Sequence, residues 1–150
     1  MNSTDDTRAG AGPASGRTSR THRLGRLAGT GALATLAAVA ATTLAAALAR
    51  AVGVDFTLDS GESIPLGGFA VVTGFFAVVG IVIAGALLLW SARPAERFLW
   101  TAVSLTAISM VPPVLFGADT ATTVTLLGLH LVPSAVMIPT LARSLRARTG

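Results

Sequence analysis

Apolar and polar positions fall into long blocks along this chain and do not alternate residue by residue. Four blocks hold no Asp, Glu, Lys or Arg: residues 27–49, 63–92, 98–118 and 120–142. A helix rises ~1.5 Å per residue, so about 20 residues cross a hydrocarbon core of ~30 Å. Each block is long enough. In lipid the backbone must satisfy its own N–H and C=O groups, which leaves helices or closed barrels. The two-residue alternation of barrel strands is absent. The pattern predicts an all-α polytopic membrane protein with four transmembrane helices in an up-down bundle. The helices are placed at about residues 27–49, 67–90, 98–117 and 120–142.

The polar segments set the remaining boundaries. Residues 1–23 are rich in Ser, Thr, Gly, Ala and Arg without apolar periodicity. Such a segment cannot offset its ordering entropy by burial, so a disordered basic tail is expected. The transmembrane domain is expected over residues 24–143, followed by a short basic tail at 144–150. In the loop between helices one and two, Val54, Phe56 and Leu58 alternate with Asp55, Thr57 and Asp59, and Ser60-Gly61 follows. This reads as a small hairpin with a Gly turn, or as an interfacial segment with Phe56 dipping into lipid. Pro94 suits the first turn of helix three, where its missing N–H is not needed. Pro112 and Pro113 can end helix three early. No repeat of 20–50 residues is visible, so an inverted-repeat transporter is not supported.

Charge then orients the bundle. All eleven basic residues are Arg. Ten lie before helix one, between helices two and three, or after helix four, and only Arg50 lies in the other loops. That split assigns both termini to the cytoplasm. A competing reading takes the basic start, the first apolar run and Ala47-Leu48-Ala49 as a cleavable signal peptide. The run is longer than the ~7–15 residues of a usual signal core.

Composition agrees and excludes several functions. The chain is 52% hydrophobic and 12% charged, against about 25% charged in a soluble domain. It has no cysteine, which removes disulfides, thiol redox chemistry and thiolate metal sites. The net charge of +4 comes without a basic stripe interleaved with stacking aromatics, so no nucleic acid is expected as partner.

Helix two carries the clearest packing pattern. Gly67, Ala70, Thr73, Gly74, Ala77, Gly80, Ala84 and Gly85 share one side, while Phe75, Phe76, Val79, Val82, Ile83 and Trp90 take the other. Small residues let membrane helices approach closely. Gly67, Ala70, Gly74, Ala77 and Ala84 therefore form the expected helix-packing face. On helix one, Leu33, Leu36, Leu44 and Leu48 form an arc expected to face lipid.

His130 is the one ionisable side chain inside the four spans. With Ser134 and Thr123 it forms a candidate polar intramembrane site, because intramembrane ionisable groups are functional candidates by default. The bland alternative is a neutral His bonded to a hydroxyl or a carbonyl of another helix. Pro133 and Pro139 in helix four free the carbonyls of Leu129 and Ala135. Asp55, Asp59 and Glu62 suit a solvated loop better than a cation site, and no metal is expected. Glu96 beside Arg93 and Arg97 reads as a surface ion pair. A bis-His haem site is excluded with one intramembrane His, and the spans lack the carboxylate pair, Ser/His pair or HExxH needed for hydrolysis. No cofactor and no catalytic residue are expected.

Residues 49–56 (Ala-Arg-Ala-Val-Gly-Val-Asp-Phe), with His130-Leu131-Val132 and the run from Ile138-Pro139 to Ala142-Arg143, carry a resemblance over about residues 24–143. The chain resembles an uncharacterised actinobacterial family of small four-helix integral membrane proteins, domain of unknown function 6069. The resemblance implies a bacterial plasma membrane and four spans, and no activity. The expected function is a non-enzymatic scaffold or accessory subunit. Its partners would be the lipid bilayer and either a homo-oligomer or a membrane partner protein. The alternative is a small transporter or permeability component using His130 and the proline-broken helices.

Overall fold

The computed structural model describes residues 14–58, 60–116 and 119–149. Its helices are α1 (Ala14–Ala51), α2 (Leu66–Trp90), α3 (Pro94–Ser109), α4 (Val111–Phe116) and α5 (Thr120–Thr149). Four stretches are long and apolar enough to cross a membrane: Arg20–Ala51, Leu66–Trp90, Pro94–Leu115 and Thr120–Arg148. In a bundle where each helix packs on the next, α1 lies against α2 and α5, and α3 lies against α5 and α2. α1 and α3 occupy opposite corners, and their backbones do not approach each other.

Several boundaries differ from the sequence expectation. α1 begins at Ala14, so residues 14–23 of the expected disordered tail are helical; residues 1–13 of that tail lie outside the described residues. The extension follows from burial. Leu27 is 1% exposed, and Leu24 reaches to within 3.8 Å of where a Cβ on Gly85 would stand. Once the span is helical, each further residue adds a hydrogen bond without a new nucleus. α5 likewise continues to Thr149 through the expected C-terminal tail, because Leu141 and Leu145, one turn apart, are fully buried.

The third span starts at Pro94, with proline at a helix N-terminus as expected, and breaks at Met110. The expected continuous helix to residue 117 is therefore corrected. Pro112 and Pro113 offer no N–H to the carbonyls of Ile108 and Ser109, and with two adjacent bonds lost α3 ends at Ser109. The same prolines fit the first turn of α4, where those donors are not required. In α5, Pro133 and Pro139 lie within one uninterrupted helix.

The core combines alanines with large apolar side chains. At one end Leu27, Ala34 and Ala38 of α1 meet Ala77 and Ala84 of α2, Ala95 and Phe98 of α3, and Met137 and Leu141 of α5. α1 and α2 run antiparallel in tight register. Gly74 faces Val39, and Gly31 lies so close under Ile81 that a Cβ there would stand 2.7 Å from its Cγ1 and Cδ1. At the other end Ala46, Leu126 and Leu129 close around Phe56.

Phe56 resolves the two readings of the first loop. The hairpin forms: Thr57 pairs with Ser63, Leu58 N–H donates to Glu62 O at 2.9 Å, and Ile64 N–H donates to Phe56 O at 3.1 Å. Phe56 turns into the bundle and is fully buried, edge-on to Phe69 at 4.9 Å. It holds φ 50, a left-handed conformation that an aromatic residue adopts at a cost. Arg50 closes the loop by donating to Ile64 O at 2.7 Å, with its guanidinium 6.0 Å from the Phe56 ring centre. The one arginine of this end thus has a structural task.

Candidate functional site

The small-residue face of α2 is occupied over part of its length. Thr73, Ala77 and Ala84 are buried, Gly74 packs under Val39, and Ala70 is half-buried. Gly67 is exposed with open space beside it. Phe75, Phe76, Val82 and Trp90 point outward. Val79 and Ile83, grouped with them on the sequence wheel, are half-buried, and Ile83 packs on the core. On α1, Leu33, Leu36, Leu44 and Leu48 are all exposed.

His130 is half-buried on α5. Its Nδ1–H donates to Leu126 O, one turn earlier, at 2.8 Å. A carbonyl can only accept, so this contact places a proton on Nδ1 and leaves Nε2 with a lone pair in the neutral ring. Nε2 has no hydrogen-bond partner among the described residues. The acceptor belongs to the histidine's own helix, not to a neighbouring one.

Ser134 is brought next to His130 through the backbone, its hydroxyl donating to His130 O at 2.9 Å. It also meets Thr106 of α3, Oγ to Oγ 3.2 Å. Ser109 in turn donates to Thr106 O at 2.8 Å. Thr106 and Ser109 were missed from sequence, because a lone Ser or Thr in an apolar run most often bonds to its own helix. Thr30, Thr35 and Thr140 do that. Thr123 is not part of the group. It lies two turns nearer the start of α5, with its N–H on Asp119 O.

Asp119 caps α5. Its carboxylate accepts from Thr122 N–H at 2.8 Å and from the Thr122 hydroxyl at 2.7 Å. The Thr122 backbone bond, then its side-chain bond, holds the carboxyl below the ordinary carboxylate range. Asp before an apolar run is a helix-start signal readable from sequence.

Among the described residues no cluster of three or more His, Asp or Glu can hold a metal ion, and Asp59 lies outside them. Arg93 and Glu96 do pair, at 3.6 Å on the surface. The arrangement can anchor helices to one another.

A family model, Family of unknown function (DUF6069), matches residues 22–147. The chain belongs to this family. No curated protein and no solved structure matches it. The match takes in all four long apolar stretches except for a residue or two at their outer ends, so the DUF6069 unit is the four-helix bundle and not one hairpin of it.

Proposed function

We propose that the chain is a multi-pass protein of the bacterial plasma membrane that serves as a non-enzymatic scaffold or accessory subunit. The observation that carries the membrane reading is the inverted packing. Alanines fill much of the interior, while Leu33, Phe76 and Trp100 are 71%, 62% and 69% exposed. A soluble protein rarely exposes contiguous apolar patches beyond a few hundred Å², and here the outward face of each long helix is apolar. Both termini and the α2–α3 turn lie in the cytoplasm, on the distribution of arginines.

The scaffold reading draws support from how the polar groups are used. Ser134, Thr106, Ser109 and His130 Nδ1 all spend their bonds within or between helices of the bundle. The open Nε2 of His130 favours the second reading, a small transporter, since an ionisable side chain inside a span is a functional candidate by default.

Orientation is testable without removing any native thiol, because the chain has none. Ser60→Cys should react with an impermeant maleimide in intact cells, and Ala92→Cys only after permeabilisation; the reverse pattern overturns the orientation. Purification in native nanodiscs should give a defined oligomer or a stoichiometric partner. A strictly monomeric protein with no companion would sink the scaffold. Solute flux in proteoliposomes that exceeds empty vesicles and falls in His130→Ala would replace it with the transporter.

A further inference from the structure

A shallow groove of about 490 Å³ runs between α2 and α3 at the arginine-rich end. Arg93, which precedes α3, and Glu96, Arg97, Trp100 and Thr101 of α3 line it on one side, and Leu87 of α2 on the other. These α3 positions are spaced three and four apart and so form one helix face. The groove has two chemistries along its length. At the turn it is cationic: Glu96 is engaged by Arg93, whereas Arg97 has no ion-pair partner among the described residues. One turn further along α3 it becomes apolar, with Trp100 strongly exposed and Leu87 opposite. Trp indoles collect at the level of lipid headgroups, with the ring in apolar surroundings and the N–H toward water.

We infer that this groove binds an anionic phospholipid, with the phosphate on Arg97 and one acyl chain running past Trp100 and Leu87. The inference rests on the membrane reading above. Charge complementarity selects the headgroup: a guanidinium without a carboxylate attracts phosphate and can hold two of its oxygens. The Thr101 hydroxyl, one turn from Arg97, and the Trp100 N–H are further donors in the same groove. The apolar continuation selects a lipid over a free anion, which would leave Leu87 and Trp100 uncovered.

The chain has two tryptophans, so Trp90→Phe leaves Trp100 as the sole indole reporter. The full chain carrying that change is reconstituted in phosphatidylcholine vesicles. Chain-brominated phosphatidylglycerol or chain-brominated phosphatidylcholine is then titrated in, and quenching of Trp100 is followed. Quenching should favour phosphatidylglycerol by about fivefold in apparent binding constant, the ratio expected from one arginine–headgroup contact. Arg97→Gln should bring the ratio close to one with helicity by circular dichroism unchanged. Arg143→Gln, at the same end but outside the groove, should leave it in place. Equal quenching by both lipids leaves the chain in the membrane and overturns the lipid site. An equal loss from Arg143→Gln shows diffuse surface charge and overturns it too. Removal of the preference by inorganic phosphate at matched ionic strength shows a free-anion site and also overturns it. No quenching by either lipid removes the membrane reading together with the site.

Discussion

The contact between Gly31 and Ile81 predicts a size swap across the α1–α2 seam. A Cβ on residue 31 would stand 2.7 Å from both Cγ1 and Cδ1 of Ile81, well inside the ~3.5–4.0 Å of ordinary carbon contact. Gly31→Val adds three carbons there. Either Ile81 leaves its rotamer or the two helices part, and overpacking of this kind costs about 1–3 kcal/mol. The backbone offset is small, since Val gains only about 0.3 kcal/mol over Gly in helix propensity. Ile81→Ala alone removes three carbons and leaves a gap, at about 1–2 kcal/mol when contacts and not water transfer are lost. The double variant Gly31→Val/Ile81→Ala moves the bulk from α2 to α1 at constant carbon number, the kind of exchange cores tolerate best. Its stability should return to within about 1 kcal/mol of the parent, a coupling of roughly 2 kcal/mol. Reversible unfolding in mixed micelles, or steric trapping in bicelles, measures the four corners of the cycle. Additivity within about 0.5 kcal/mol would mean that the two residues do not share the seam, and the register drawn from Gly31, Gly74 and Gly85 would be refuted.

Phe56→Ala should destabilise the hairpin end by about 3 kcal/mol, because a fully buried ring is lost. Phe56→Gly should be milder by about 1 kcal/mol, since glycine accepts φ 50 without strain; limited proteolysis of the loop at 52–65 ranks the two. Thr106→Val should cost about 0.6 kcal/mol and at most about 1.7 kcal/mol, the range for hydroxyl bonds between membrane helices, and Ser134→Ala should add almost nothing to it in thermal melts. Thr42 is 2% exposed and its Oγ1 lacks a partner, so Thr42→Val should stabilise by about 1 kcal/mol; a loss of stability would reveal a hydrogen bond at that hydroxyl. Asp119 has its carboxyl held low by Thr122, so its contribution is complete above the ordinary carboxylate pKa of about 3.9 and fades as pH falls through the lower folded value. Hydrogen-exchange protection at Thr122 should show that acid decline in the parent chain and not in Asp119→Asn.

Much of the architecture was legible because long apolar blocks are strong signals. The outward Leu arc of α1 and the buried Thr73–Ala84 part of the α2 stripe follow from helical spacing alone. The destination of Phe56 was not legible, since lipid and protein interior are equally apolar to a phenyl ring. The break at Met110 was readable from Pro112 and Pro113 only as a risk, because proline ends one helix and starts the next with equal ease. The ends of α1 and α5 ran past their apolar blocks because Leu24, packed near Gly85, and the buried Leu145 anchor them, and isolated leucines among arginines carry little periodic signal. For the candidate site, His130 and Ser134 stood out by rarity and spacing. Thr106, which joins them from α3, had no feature to separate it from Thr101 or Ser104.

The use of the hydroxyls explains why shape should matter more than hydrogen bonding in this bundle. Thr30, Thr35, Ser134 and Thr140 each return a bond to a carbonyl one turn earlier. Those bonds satisfy the side chain and leave the attraction between helices almost unchanged. On the proposed membrane reading there is also no water to expel from between apolar faces, so area burial supplies little. What remains for α1, α2 and α5 is close contact of Gly31, Ala34, Ala38, Ala46, Ala77 and Ala84, whose small size brings backbones and neighbouring side chains together. Each such contact is weak, about 0.1–0.2 kcal/mol per atom pair, and depends steeply on distance. A displacement of a few tenths of an ångström along the α1–α2 seam therefore removes many contacts at once. Loss of the Thr106–Ser134 bond removes one. On that reasoning α3, whose backbone does not approach α1 and which meets α5 partly through that polar pair, is the helix that moves most cheaply, and the seam between α1 and α2 is where the fold resists change.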